Sequence, residues 1–94
     1  MIRVEIQPFL KALASEKRQE IMFLFMSRNE LTVTEIAQLV GIGQSTASEQ
    51  LAILKRAGIL ISRKEGKEVI YYPNREKIMD YMQQFNSFLM NCCK

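Results

Sequence analysis

Residues 32–60 read TVTEIAQLVGIGQSTASEQLAILKRAGIL, and the fold turns on how that stretch divides. Thr32-Val33-Thr34-Glu35 has the T-x-x-E form of a capping box, in which threonine and glutamate satisfy each other's backbone donors. Val33, Ile36, Ala37 and Val40 then recur at helical spacing. Gly41-Ile42-Gly43 interrupts the helix, because glycine readily takes the positive φ that ends one. A second helix opens at Gln44-Ser45-Thr46 and turns Ala47, Leu51, Leu54 and Ala57 inward. Gln44, Ser45, Thr46, Ser48, Glu49 and Gln50 remain for its other face: polar side chains that between them offer both donors and acceptors. Two helices across a short glycine turn, the second polar in its N-terminal half, predict a helix-turn-helix whose second helix enters the DNA major groove.

Downstream, Lys55 and Arg56 suit a helix C-terminus and Gly58 ends the helix. Ile59–Arg63 and Glu68–Tyr72 carry the β-branched and aromatic residues of two strands. Lys64-Glu65-Gly66-Lys67 between them is a hairpin turn. From Lys55 to Lys67 there are five basic residues, Lys55, Arg56, Arg63, Lys64 and Lys67, against the single acid Glu65. A basic hairpin directly after a helix-turn-helix reads as a wing that meets phosphates or the minor groove; the plainer alternative is an ordinary solvated hairpin. Asn74 caps a last helix over 75–91. Its Ile78, Tyr81, Met82, Phe85, Phe88 and Leu89 form a stripe wider than a soluble monomer usually exposes, which points to a two-fold dimer interface.

Upstream, Pro8 suits the first turn of a helix over 8–14, with Phe9, Leu10 and Leu13 on one face. That face either packs on its own core or joins the dimer interface. Ser15 caps a second helix over 16–28. Its Ile21–Met26 run is apolar on most sides, as expected of the central helix of a bundle.

The 94 residues make one domain, 1–94, mainly α with a small β-hairpin, in the order α-α-α-α-β-β-α. A net charge of +3 is only mildly basic, so the local clustering carries the nucleic-acid argument. The longest apolar run is far too short to span a membrane, and no signal-peptide core opens the chain. The expected location is the cytoplasm, where two cysteines stay reduced. With no histidine, no glycine-rich phosphate loop and no nucleophile beside a base, the chain does not read as an enzyme.

Four segments resemble the ArsR/SmtB family of winged-helix repressors. Residues 10–18 (LKALASEKR) are similar to its "LKALADPTR" opening, and residues 30–37 (ELTVTEIA) to "ELCVCDLA". Residues 43–58 resemble "SQSTVSHHLKVLREAG", and Arg63–Lys67 with Tyr71-Tyr72 resembles the wing. The resemblance implies a homodimeric repressor paired through its first and last helices and released from DNA by an inducer. It departs at Gln50, where histidine is usual, and at Glu49, which is acidic. Gln favours adenine and Glu accepts from cytosine, so both would alter the operator.

On this reading Gln44, Ser45, Thr46, Ser48 and Gln50 reach base edges, while Lys55, Arg56, Arg63, Lys64 and Lys67 attract phosphate. Capping is the competing role for Ser45, Lys55 and Arg56. The partners are a second copy and double-stranded DNA carrying an inverted repeat, with no membrane. No cofactor is required. Thr32 and Thr34 stand where the resemblance would place thiolate ligands, and hydroxyls bind soft ions poorly. Asp80 and Glu76 lack the histidines of a zinc site. Cys92-Cys93 remains, with three readings open: a tentative metal site for an inducer such as As(III) or Sb(III), no sensing role, or a redox or reactive-sulfur response. A protein-interaction module that binds no DNA is the alternative of another class.

Overall fold

Three side-chain caps set the frame. The oxygens of Ser15, Thr32 and Asn74 accept from the backbone amides of Arg18, Glu35 and Lys77 at 3.3, 3.1 and 3.3 Å. Each satisfies a donor that the first turn of a helix would otherwise leave unpaired. At Thr32 the box closes, since the Glu35 carboxylate accepts from the Thr32 amide at 2.8 Å. The structure, a computed structural model, describes residues 6–92, the side chain of Cys92 excepted; Ile2, Val4 and Cys93 lie outside the described residues.

The elements are α1 (Ile6–Ala12), α2 (Glu16–Leu24), β1 (Leu31–Thr32), α3 (Val33–Val40), α4 (Gln44–Arg56), β2 (Leu60–Glu65), β3 (Glu68–Pro73) and α5 (Arg75–Cys92). The α3–α4 pair divides where the sequence predicts. Gly41 ends α3 at φ 77°, in the left-handed region that a Cβ disfavours. Gly58, at φ 82°, turns the chain from α4 into β2, and a Cβ there would lie 3.3 Å from both the Lys77 side chain and the Tyr81 hydroxyl.

Four expectations change. β1 is an added strand: Leu31 and Thr32 pair antiparallel with Tyr71 and Ile70, giving a three-stranded sheet of order β1-β3-β2. β2 runs on to Glu65, opposite Glu68, so the hairpin turn shrinks to Gly66-Lys67. α1 lies two residues earlier than predicted. Pro8 still falls in its first turn, where a missing N–H is harmless.

The fourth change is in α2, which stops at Leu24 and is no central helix. Ile21 is fully buried, but Phe23 is 62% and the following Met26 84% exposed. A helix turns its residues about 100° apart; an uninterrupted apolar run therefore faces every direction, and this small domain covers one stripe of it.

One core joins all the helices. Ile6, Phe9 and Ala12 of α1 meet Ile21, Ile36, Leu51 and Leu54, with Leu31, Ile59, Leu60 and Tyr71 closing the sheet side. Phe9 stacks against Tyr81 of α5 with ring centroids 4.7 Å apart. Beyond Phe85, α5 leaves the core: Phe88, Leu89 and Met90 are exposed, as are Met79 and Met82. The described chain is elongated, 49 × 23 × 23 Å.

Candidate nucleic-acid interface

The periodicity of α4 gives it three working faces. Ala47, Leu51 and Leu54 point into the core with no exposed surface. At about 100° per residue, Gln44, Ser48 and Lys55 fall on the flank toward the sheet. Ser45 and Glu49 point away from the core, and Thr46 and Gln50 fall toward the opposite flank. Gln44, Ser45, Thr46, Ser48 and Glu49 are all exposed, as predicted, and Gln50 is half-buried.

The sheet flank borders an open cleft of about 370 Å³, lined by Val33, Thr34, Gln44, Ser45, Ser48, Lys67, Glu68 and Val69. The cleft sets the polar turns of α4 beside the hairpin. Gln44 is fixed there, its amide donating to the Thr34 hydroxyl at 2.6 Å. Gly43 precedes α4 with no side-chain cap, so no side chain competes for the first amides of the helix. Such an end favours anions.

The basic residues divide sharply. Lys64 and Lys67 are exposed at the hairpin end, although Glu65 and Glu68 sit beside them as a cross-strand pair. Lys55 donates to the Ser62 hydroxyl at 2.8 Å, bracing α4 on β2. Arg56 lies away from the cleft, in the wall of a second cavity formed with Pro8, Lys11, Ala12, Arg18, Ile53 and Ala57.

Arg63 is enclosed by acids. It meets both oxygens of Glu30, at 2.8 and 2.9 Å, and Glu65 at 2.8 Å, with its guanidinium 5.7 Å from the centre of the Tyr72 ring. The Arg63 hydrogen bond holds the Glu30 carboxyl below the ordinary carboxylate range, and the two carboxylates raise Arg63 above its usual value. The Thr32 amide, followed by Arg28, likewise lowers Glu35.

Gln50 is also engaged. Its side-chain oxygen accepts from Arg18 Nη1 at 2.8 Å. Neither Arg18 nor Glu30 was reached from sequence. Each lies more than 30 residues from its partner, and only the strand register and the α2–α4 packing bring them together.

At α3 the residues are the two threonines the sequence shows, and both are engaged. The Thr32 hydroxyl caps the helix and the Thr34 hydroxyl accepts from Gln44, so both hard oxygens have structural tasks. Among the described residues no three His, Cys, Asp or Glu side chains gather as a metal site. Cys92 closes α5, with its side chain and Cys93 outside the described residues. Among the described residues, no helix is long and apolar enough to cross a membrane.

Comparison with known proteins agrees with this geometry. The chain is 33% identical over 78 residues to the cadmium resistance transcriptional regulatory protein CadC of Listeria innocua, a match covering 83% of this chain and 66% of that one. It is 40% identical over 62 residues to the transcriptional activator HlyU of Vibrio cholerae, covering 66% and 56% respectively. The chain thus spans 66% or less of the length of these two relatives.

Among solved structures it is similar to a homodimeric winged helix-turn-helix DNA-binding domain from Mycobacterium bovis, a possible ArsR-family transcriptional regulator. The TM-score is 0.72 at 30% identity, over 92% of this chain and 76% of that one. These relatives are named as transcriptional regulators, as expected of a chain that does not read as an enzyme. Residues 15–62, from the cap of α2 into β2, match the model of the arsR family of bacterial regulatory proteins, and the chain belongs to that family.

Proposed function

We propose that the chain is a homodimeric, sequence-specific DNA-binding repressor that lays α4 of each protomer into a major groove and its hairpin along the adjoining backbone. The observation that carries this reading is the exposed polar half of α4, Gln44 to Glu49, beside the cleft shared with Lys67. Gln44, Ser45, Thr46 and Ser48 are the base readers, and one good bidentate contact discriminates by about 1–3 kcal/mol. Lys55, Arg56, Lys64 and Lys67 supply sequence-independent attraction by releasing counterions.

Arg63, already answered by two carboxylates, shapes the hairpin instead of touching phosphate. Dimerisation is supported by the exposed apolar end of α5 and by the homodimeric relative. The operator is then an inverted repeat with half-sites about one helical turn apart, or a multiple of it.

Selection from a random duplex library tests the reading. An enriched inverted repeat, bound less tightly as salt rises, supports it. Lys64→Ala with Lys67→Ala should lower affinity for every duplex and flatten the salt dependence; an unchanged slope would remove the hairpin from the mechanism. If no duplex is enriched, the chain is a protein-interaction module instead.

For the inducer, the adjacent Cys92 and Cys93 are the sequence's sole thiols. They suit trivalent arsenic or antimony, with a third thiolate drawn from the partner or a small thiol. Support comes from a relative named for resistance to cadmium, another thiophilic ion. Arsenite, antimonite, cadmium and a persulfide are titrated against the labelled operator, with Cys92→Ser and Cys93→Ser as control. Release by arsenite from the intact chain alone is the expected result. Release only by the persulfide makes the pair a redox sensor, and release by none ends the sensor reading.

A further inference from the structure

We propose that Arg18 and Gln50 form a positioning couple that sets α4 against α1, so that Gln50 acts through Arg18 and reads no base. This rests on the DNA-binding reading above and changes the part Gln50 plays in it.

The Arg18 guanidinium spans three helices. From α2, its Nε donates to the Ala12 carbonyl at 2.7 Å and its Nη1 to the Gln50 oxygen at 2.8 Å, while Nη2 lies 3.5 Å from the Lys11 carbonyl. The neighbouring Gln19 side chain donates to the Leu13 carbonyl at 2.6 Å. The Ala12 carbonyl that ends α1 and the Leu13 carbonyl just beyond it are therefore taken up from α2, while the Phe9 and Lys11 carbonyls accept from the Leu13 and Ala14 amides at 3.2 Å. A guanidinium suits that place, because it is planar, permanently charged and favoured at a helix C-terminus. Charge-assisted hydrogen bonds of this kind are roughly twice as strong as neutral ones.

The space around the couple strengthens the case. Pro8, Lys11 and Ala12 of α1 face Ile53, Arg56 and Ala57 across a cavity of about 330 Å³, with Arg18 in its wall. The groove is open to solvent, and the guanidinium in its wall ties the α1 side to α4 through Ala12 and Gln50.

Gln50 is poorly placed to read a base. It shares a flank with Thr46, about 160° around the helix axis from Ser48, but lies nearer the core and is half-buried where Thr46 is exposed. A bidentate contact to adenine needs the amide oxygen to accept and the nitrogen to donate; here the oxygen already accepts from Arg18. That oxygen has a second lone pair, but a base would have to meet it in the orientation the Arg18 bond already sets. The couple instead transmits movement. Any shift of α1 as two protomers adjust reaches α4 at Gln50, next to Glu49 and one turn from Thr46. Coupling between pairing and DNA binding then follows from how well this bond survives in each state.

The test uses the full chain and the duplex that wild type selects from a random library. Gln50→Ala should weaken binding to every duplex by about tenfold and Arg18→Ala, which also frees the Ala12 carbonyl, by at least as much, with base preference unchanged, and the double variant should lose no more than Arg18→Ala alone. Gln50→Glu keeps the acceptor for Arg18, so it should bind near wild type with the same preference. A changed base preference in Gln50→Ala or Gln50→Glu, or additive losses in the double variant, would overturn the couple.

A DNA-free measurement keeps the two proposals separate. The Arg18 Nη1 protons should give slowly exchanging ¹⁵N-coupled signals in wild type that broaden into the bulk in Gln50→Ala, while the Nε proton held by the Ala12 carbonyl persists. Identical signals in both would overturn the couple, whatever happens with DNA. A wild-type chain that selects no duplex would end the DNA reading, and the spectra would still decide the couple.

Discussion

The α3–α4 unit and the far end of α5 are built on opposite terms. In α3–α4 the core-facing stripe is inside, with Ile36, Ala47, Leu51 and Leu54 buried and Leu39 the one large apolar side chain left exposed, at 57%, and the polar side chains at the start of α3 answer one another. The last turns of α5 present Phe88, Leu89 and Met90 at 42%, 45% and 69% exposure with no core to enter. Both helices carry apolar stripes of similar quality. The difference teaches that periodicity says where a stripe lies, and only the surrounding fold says whether one chain can cover it. The first unit buries its core stripe within one chain; the far end of α5 leaves its stripe exposed, which is what the proposed pairing would cover.

The contrast can be broken most forcefully in the core. Leu51→Ala should destabilise the domain by about 3 kcal/mol in urea unfolding, the usual range for emptying a fully buried leucine site. A loss near that of an exposed position would mean that α4 is not the centre of the core. Next comes the α5 end. Phe88→Glu with Leu89→Glu should raise the dimer dissociation constant at least about a hundredfold, or about 2.7 kcal/mol, by equilibrium sedimentation. The helical circular dichroism of the monomer should stay intact. A wild-type chain that is already monomeric at micromolar concentration would erase the contrast.

Thr32→Ala should cost about 1 kcal/mol, because it removes the oxygen that holds the Glu35 amide. The same measurement on Ser87→Ala, an exposed position in α5, should show almost nothing. The smallest effect is acid sensitivity. Glu30 and Glu35 have folded pKa values below their unfolded ones. Their contribution to stability is complete above the ordinary glutamate range and is lost as pH falls through the lowered folded values. Glu30→Gln should flatten that acid limb of a denaturation-midpoint profile, with little change at neutral pH because the pair is exposed to solvent. An unaltered acid limb would show that Arg63 and Glu30 do not hold together in solution.

Much of α3–α4 was legible because its determinants are local. The T-x-x-E box, Gly41 and the spacing of Ala47, Leu51 and Leu54 each act within a few residues. β1 was not legible: two residues carry no period, and only Tyr71 and Ile70, far along the chain, make Leu31 and Thr32 a strand. The course of α2 failed for a related reason, since a run apolar on all sides does not say which side the fold covers. The exposed polar residues of α4 could be named in advance. The fates of Gln50 and Arg63 could not, because Arg18 and Glu30 reach them through the tertiary fold.

Thr32 is at once the last residue of β1 and the cap of α3. The sheet that carries the hairpin therefore ends in the same residue that starts the helix beneath α4. Bending the hairpin toward or away from α4 would strain a ladder and a cap together, so the gap between them is gauged like that of a two-tined fork. On the proposed DNA-binding reading, a duplex whose grooves do not match that gauge must itself deform, and its stiffness becomes part of what is selected.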